Sequence, residues 1–168
     1  MTEAERYRIQ QARPWLERIN IAARAYRRAL VLIERLERLA DAVGGIDYTR
    51  EHVSGGGPTD RLADGMDGLI LAKEKAETAR VEYLAEVNAA AERLRAIPDP
   101  ELFVVLVACY MEGKETIADA FQELNTTRTK HGLDPYRGST IYKKHNEAIL
   151  AAYDVMPTEW RDPRPRAI

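Results

Sequence analysis

At 168 residues, with 45% apolar and 31% charged side chains, the chain suits one domain, or a small domain carrying a long helical appendage, and is too apolar to be largely disordered. A formal net charge of −2 does not mark it as a nucleic-acid binder as a whole, so any basic footprint must be local. Aromatic residues at 7%, beside plentiful Ala, Arg, Glu and Leu, favour helix over sheet. The expected fold class is therefore all-α: a long antiparallel helical hairpin, coiled-coil-like, over residues 1–98, a C-terminal helix-turn-helix domain over 99–156, and a Pro/Arg-rich tail over 157–168.

The first helical pattern runs through Trp15, Ile19, Ala22, Tyr26, Ala29, Ile33, Leu36, Ala40 and Val43. Steps of four and three keep these on one narrow stripe, with Arg24, Arg27, Arg28, Glu34, Arg35, Glu37 and Arg38 opposite. Pro14 suits a first helical turn, so the helix proper is expected to begin there, preceded by a looser helical arm, and to stop at Gly44-Gly45. Acids in Met1-Thr2-Glu3-Ala4-Glu5-Arg6 stand where a signal peptide would be basic, and no stretch approaches a membrane span, so a cytoplasmic protein without membrane partners is expected.

Glu51 to Asp60 hold three glycines before a helix, the arrangement that can present backbone N–H groups to a phosphate. The Lys-Ser/Thr pair of a P-loop is missing and Asp60 brings negative charge, so a turn-forming hinge is expected. A second helix follows through Leu62, Met66, Leu69, Ala72, Ala76, Ala79, Tyr83, Val87, Ala90, Leu94 and Ile97, with Thr59 and Asp60 as caps and Pro98 as its end. Each helix would be roughly 45–55 Å long at about 1.5 Å per residue, and the short connection lets them fold back on each other. So many stripe positions are Ala that the pair buries little area, which predicts self-association or docking on the C-terminal helices.

No catalytic constellation stands out. His52, His131 and His145 lack zinc-site spacing with Cys109, and no Glu-x-x-His pair of a di-iron bundle occurs. Glu74, Glu77, Glu82 and Glu86 alternate with Lys73, Lys75 and Arg80 as a solvated face would. The expectation is a non-enzymatic chain without metal or cofactor. Cys109, the only cysteine, lies in the apolar run Leu102–Tyr110, which excludes an intramolecular disulfide and predicts a buried thiol.

Asp99-Pro100-Glu101 opens the C-terminal block as cap, first-turn proline and acid at the positive helix end. Leu102 to Met111 is apolar nearly all round, hence buried on several sides, and Gly113 ends it. Thr116 then caps a supporting helix whose core face is Ile117, Ala120, Phe121 and Leu124, and which can extend to about Lys130 before Gly132. Residues 125–138 exceed the usual three- or four-residue turn. Thr126, Thr127, Arg128, Lys130 and Arg137 suit phosphate contacts there, with a plain solvated loop as the equal alternative.

The last helix, opened by Ser139, places Ile141, His145, Ala148, Ile149 and Ala152 on one side and Ser139, Tyr142, Lys143 and Asn146 on another. Lys143 and Asn146 can read purine edges, Ser139 base or phosphate, and Lys144 the backbone, while Thr140 and Tyr142 complete the candidate DNA-facing set. His145 is expected in the helix interface. Arg161, Arg164 and Arg166 among Pro163 and Pro165 predict an extended, poorly ordered basic arm.

Three segments carry a resemblance: the hinge Val53-Ser54-Gly55-Gly56-Gly57-Pro58-Thr59-Asp60 continuing to Asp64, Tyr110-Met111-Glu112-Gly113-Lys114 with Ile117-Ala118, and Ile141-Tyr142-Lys143-Lys144-His145-Asn146-Glu147-Ala148-Ile149. In this order, over roughly residues 15–153, they resemble the phage and prophage ArpU/RinA-like late transcription regulator group, whose last domain looks like sigma factor region four. The family has a short turn where this chain has residues 125–138. The resemblance implies a phage-derived regulator that binds double-stranded DNA at a promoter or operator near late or packaging genes and touches RNA polymerase. Two other readings fit the same elements: a small terminase subunit-like packaging protein, and a protein-interaction module with a decayed helix-turn-helix.

Overall fold

The computed structural model describes residues 1–44 and 58–161, and the side chains of 40–44 and 58–66 are outside that description. The glycine-rich connection up to Gly57, with His52, and the tail residues Arg164 and Arg166 therefore lie outside the described residues. The chain is all-helical: α1 (Glu3–Gly44), α2 (Pro58–Leu94), α3 (Pro100–Leu106), α4 (Ile117–Lys130) and α5 (Ser139–Val155). A π-helical turn, Val107–Met111, continues α3, and a 3₁₀ turn, Thr158–Trp160, follows α5.

α1 corrects one expectation. It starts at Glu3, where Thr2 and Glu5 form a reciprocal cap (Glu5 N to Thr2 Oγ1, 3.2 Å; Thr2 N to Glu5 Oε2, 2.6 Å), and runs through Pro14 unbroken. A mid-helix proline costs about 3 kcal/mol or more. Ile9, Ala12, Trp15, Leu16 and Ile19 are buried on either side of it. Each large side chain so buried contributes about 1.5–3 kcal/mol, so packing outweighs the lost hydrogen bond. α2 is already helical at Pro58, which puts Thr59 and Asp60 in its first turn and not at its cap.

The chain divides into two compact units: residues 1–24 with 82–168, and residues 25–81. The boundary expected at 98/99 falls inside the first. That unit's core joins Trp15, Leu16 and Ile19 of α1 to Leu94 and Ile97, Leu106, Phe121, Ile149 and Met156. The short helices α3–α5 cannot close a core by themselves, and the two long helices supply the missing apolar wall. Arg18 Nε donates to Glu86 Oε1 at 2.8 Å, and the Tyr83 hydroxyl to the Met111 carbonyl at 3.1 Å.

In the second unit, Lys73 Nζ lies 2.9 Å from Glu37 Oε1, and Tyr26 is near enough to act on Arg80. Rising numbers in one helix thus meet falling numbers in the other, the antiparallel arrangement. Ala72 and Ala76 are buried, and Ala29, Ile33 and Leu36 half-buried.

Candidate nucleic-acid interface

The helix-turn-helix elements are fixed by local signals. Asp99 accepts from the Glu101 N–H at 2.8 Å and caps α3, with Pro100 in its first turn. α3 and the π turn end at Gly113, whose φ of +66° suits a residue without Cβ. Thr116 and Asp119 then form the capping box of α4: Asp119 N to Thr116 Oγ1 is 3.1 Å and Thr116 N to Asp119 Oδ2 is 3.2 Å. α4 reaches Lys130 and stops at Gly132 (φ +71°), where Leu133 N bonds the Arg128 carbonyl at 2.9 Å in a Schellman closure.

The connection from α4 to α5 is pinned. Asn125 grips the backbone of Tyr136 twice, Nδ2 to the carbonyl at 2.9 Å and Oδ1 from the N–H at 2.8 Å. Tyr136 is buried edge-on to Phe121, ring centroids 5.6 Å apart, and its hydroxyl donates to Glu101. Arg128 lies over the Tyr136 ring at 4.1 Å, bonds the Asp134 carbonyl at 2.8 Å and reaches Glu101 Oε1 at 2.7 Å. Lys144 of α5 also meets Glu101, at 2.9 Å. The Tyr136 hydroxyl, with Lys144 and Arg128, draws the Glu101 carboxyl down to about 2.

Two candidate phosphate ligands thus already have a carboxylate partner within the fold. The guanidinium of Arg128 and the ammonium of Lys144 share the Glu101 carboxylate, Lys144 also lying 3.4 Å from Glu147, and together they hold the loop and α5 against α3. Thr126, Thr127, Lys130, Arg137, Ser139, Thr140, Tyr142 and Lys143 are exposed, and Asn146 is half-buried. Tyr142 is 67% exposed, an unusual position for a large aromatic side chain and one open to stacking or packing on a partner.

α5 follows Gly138 (φ +49°) with no side-chain cap and no acid in its first turn, so its positive end is open to an anion. Its inner face carries His145, 3% exposed, as expected from the pattern. The Tyr110 hydroxyl is 2.9 Å from His145 Nε2 and the rings stack at 5.8 Å. Burial pushes the tyrosine pKa up, and burial with nearby Arg13 lowers that of His145 to about 4. A neutral imidazole protonated at Nδ1, accepting from the tyrosine, satisfies both groups. Burial likewise pushes the Cys109 thiol up to about 12, an unreactive state.

The start of the tail is docked, contrary to the expected loose arm. Trp160 packs on the core, and Arg161 Nη2 bonds the last carbonyls of α5 at Tyr153 (3.0 Å) and Asp154 (2.8 Å).

One part of this surface was missed in the sequence. α1 passes beside α5, with Arg8 5.5 Å from the Tyr153 ring centroid and 3.8 Å from Asp154, and Arg6, Gln10 and Arg13 border Asn146. The spacing 6, 10, 13 marks one helical face, but nothing local ties that face to α5.

No family model, curated protein or solved structure matches the chain.

Proposed function

We propose that the chain is a non-enzymatic, sequence-specific DNA-binding regulator of phage or prophage type, in which α4 braces α5 and α5 enters the major groove. The observation that carries this reading is the division of α5: one face is locked by His145, Ala148, Ile149 and Ala152, while Ser139, Thr140, Tyr142, Lys143 and Asn146 lie outside that core. Exposed Arg137 and the uncapped start of α5 lie where phosphates flank a groove-bound helix. Lys143 and Asn146 are then the base readers. The phage setting and contact with RNA polymerase rest on the family resemblance.

Self-association completes the reading. Leu30, Val31, Leu32, Leu39, Ile70, Leu71 and Val81 remain 46–58% exposed, more apolar surface than a monomeric hairpin has reason to present.

Selection of duplexes from a random pool, followed by titration at rising salt, tests the function. Salt-sensitive binding at micromolar protein or tighter is expected, with Arg137→Ala plus Lys143→Ala weakening it by an order of magnitude or more. Absence of salt-sensitive binding at that concentration refutes the reading.

A further inference from the structure

Beside the exposed face of α5 lies a cleft of about 440 Å³, bordered by Arg6, Gln10, Arg13 and Glu17 of α1 and by Asn146 of α5. Steps of four, three and four place the α1 residues on one side of the helix, and Arg6, Gln10 and Arg13 are exposed.

Charge pairing separates these arginines from their neighbours. Arg8 meets Asp154 at 3.8 Å, Arg18 bonds Glu86 at 2.8 Å, and Arg24 lies 3.6 Å from Glu115. Arg6 and Arg13 have no carboxylate within ion-pair distance among the described residues, although Glu17 is one turn beyond Arg13. Arg6 stands near the positive end of α1, where a cation is disfavoured, and Arg13 acts unfavourably on the proton-binding form of His145. Two unpaired guanidinium groups therefore face one cleft, about 10 Å apart along the helix at 1.5 Å per residue, with the Gln10 amide between them on α1 and the Asn146 amide across the cleft on α5. The acid, Glu17, is at the end far from Arg6. An anion placed between Arg6 and Arg13 meets both guanidinium groups and the amide donor of Gln10.

We propose that Arg6, Gln10 and Arg13 form a second phosphate-binding element, which grips the sugar-phosphate backbone beside the groove entered by α5. Asn146 joins the two elements, since it borders the cleft and sits on the DNA-facing side of α5. This proposal rests on the DNA-binding reading and extends its footprint to the start of α1. The added contacts are to phosphate, so they set affinity and orientation and leave sequence preference to α5.

The test uses the full chain with Arg6→Ala plus Arg13→Ala, both exposed, and a control that keeps charge, Arg6→Lys plus Arg13→Lys. Fluorescence anisotropy is read against the selected duplex and a scrambled one across a salt series. Loss of two phosphate contacts is expected to weaken both duplexes to the same degree, by about tenfold or more, and to make the slope of log K against log salt shallower by about 1.8. The lysine variant is expected to keep most of that slope. An unchanged thermal midpoint excludes unfolding as the cause. Unchanged affinity and slope in the alanine variant, with Lys143→Ala still weakening binding, overturns this proposal and leaves the DNA reading standing. A wild-type chain that binds no duplex ends both.

Discussion

Gly113 and Gly132 both have positive φ, +66° and +71°, yet they do different things. Around Gly132 there is open space, so a Cβ there adds only backbone strain, about 1 kcal/mol. At Gly113 a Cβ would stand 2.7 Å from the carbonyl oxygen of Ala23, a backbone atom in α1 that cannot rotate away. The turn after the π-helical segment is pressed directly onto α1, and the absent side chain permits it. Gly113→Ala is therefore expected to lose the strain term plus the cost of separating two packed backbones, about 3 kcal/mol or more together. Gly132→Ala should lose only the first. Urea denaturation of both variants measures the gap, and equal losses would show that the close approach to Ala23 contributes nothing.

At the scale of elements, α5 is held by contacts from two sides, each sensitive to pH in its own window. His145 accepts from Tyr110 only while neutral, and its pKa falls from the ordinary 6.5 to about 4 in the fold. Between those values the unfolded chain takes up a proton that the folded chain refuses, so stability drops as pH falls from 6.5 toward 4 and is fully present above 6.5. Glu101, held at about 2, contributes in a lower window, lost between its ordinary 4.5 and 2. Thermal midpoints taken from pH 7 to 5 should decline in the wild type and stay nearly level in His145→Gln; a parallel decline in both would refute the assignment to His145. The helix boundaries around this latch were legible because their signals are local: Asp99-Pro100, the Thr116 cap, Gly132 and the burial of His145 all follow from spacing within a few residues. Arg128 and Lys144 were not, since their partner Glu101 lies in another helix and a basic residue awaiting phosphate looks the same in sequence as one already paired. The same reason hid the pinned loop, where Asn125 and Tyr136 are eleven residues apart.

For the whole molecule, the stripe from Trp15 to Val43 reads as one continuous helix face, and nothing in its period shows that residues before Ala25 and those from Ala25 onward belong to different compact units. What the period does convey is how little that second unit can bury. Its α2 stripe is built on Ala72, Ala76 and Ala79, and small side chains leave the flanking Leu, Ile and Val exposed. Seven such residues are 46–58% exposed, and because Leu30, Val31 and Leu32 are consecutive on the helix, only part of this set can face one partner. Covering that part on a partner helix removes apolar surface from water and so favours association. Leu32 and Leu39 are a heptad apart on α1, so they present one strip to a partner helix. Sedimentation equilibrium at micromolar concentration should accordingly give a mass of at least two chains, each 19.0 kDa. Leu32→Glu with Leu39→Glu should lower that mass to one chain while circular dichroism stays helical. A dimer would fit a regulator reading paired half-sites and a closed ring of many subunits the packaging alternative, whereas a wild-type monomer would remove self-association from the account and leave DNA binding to be judged on α5 and α1 alone.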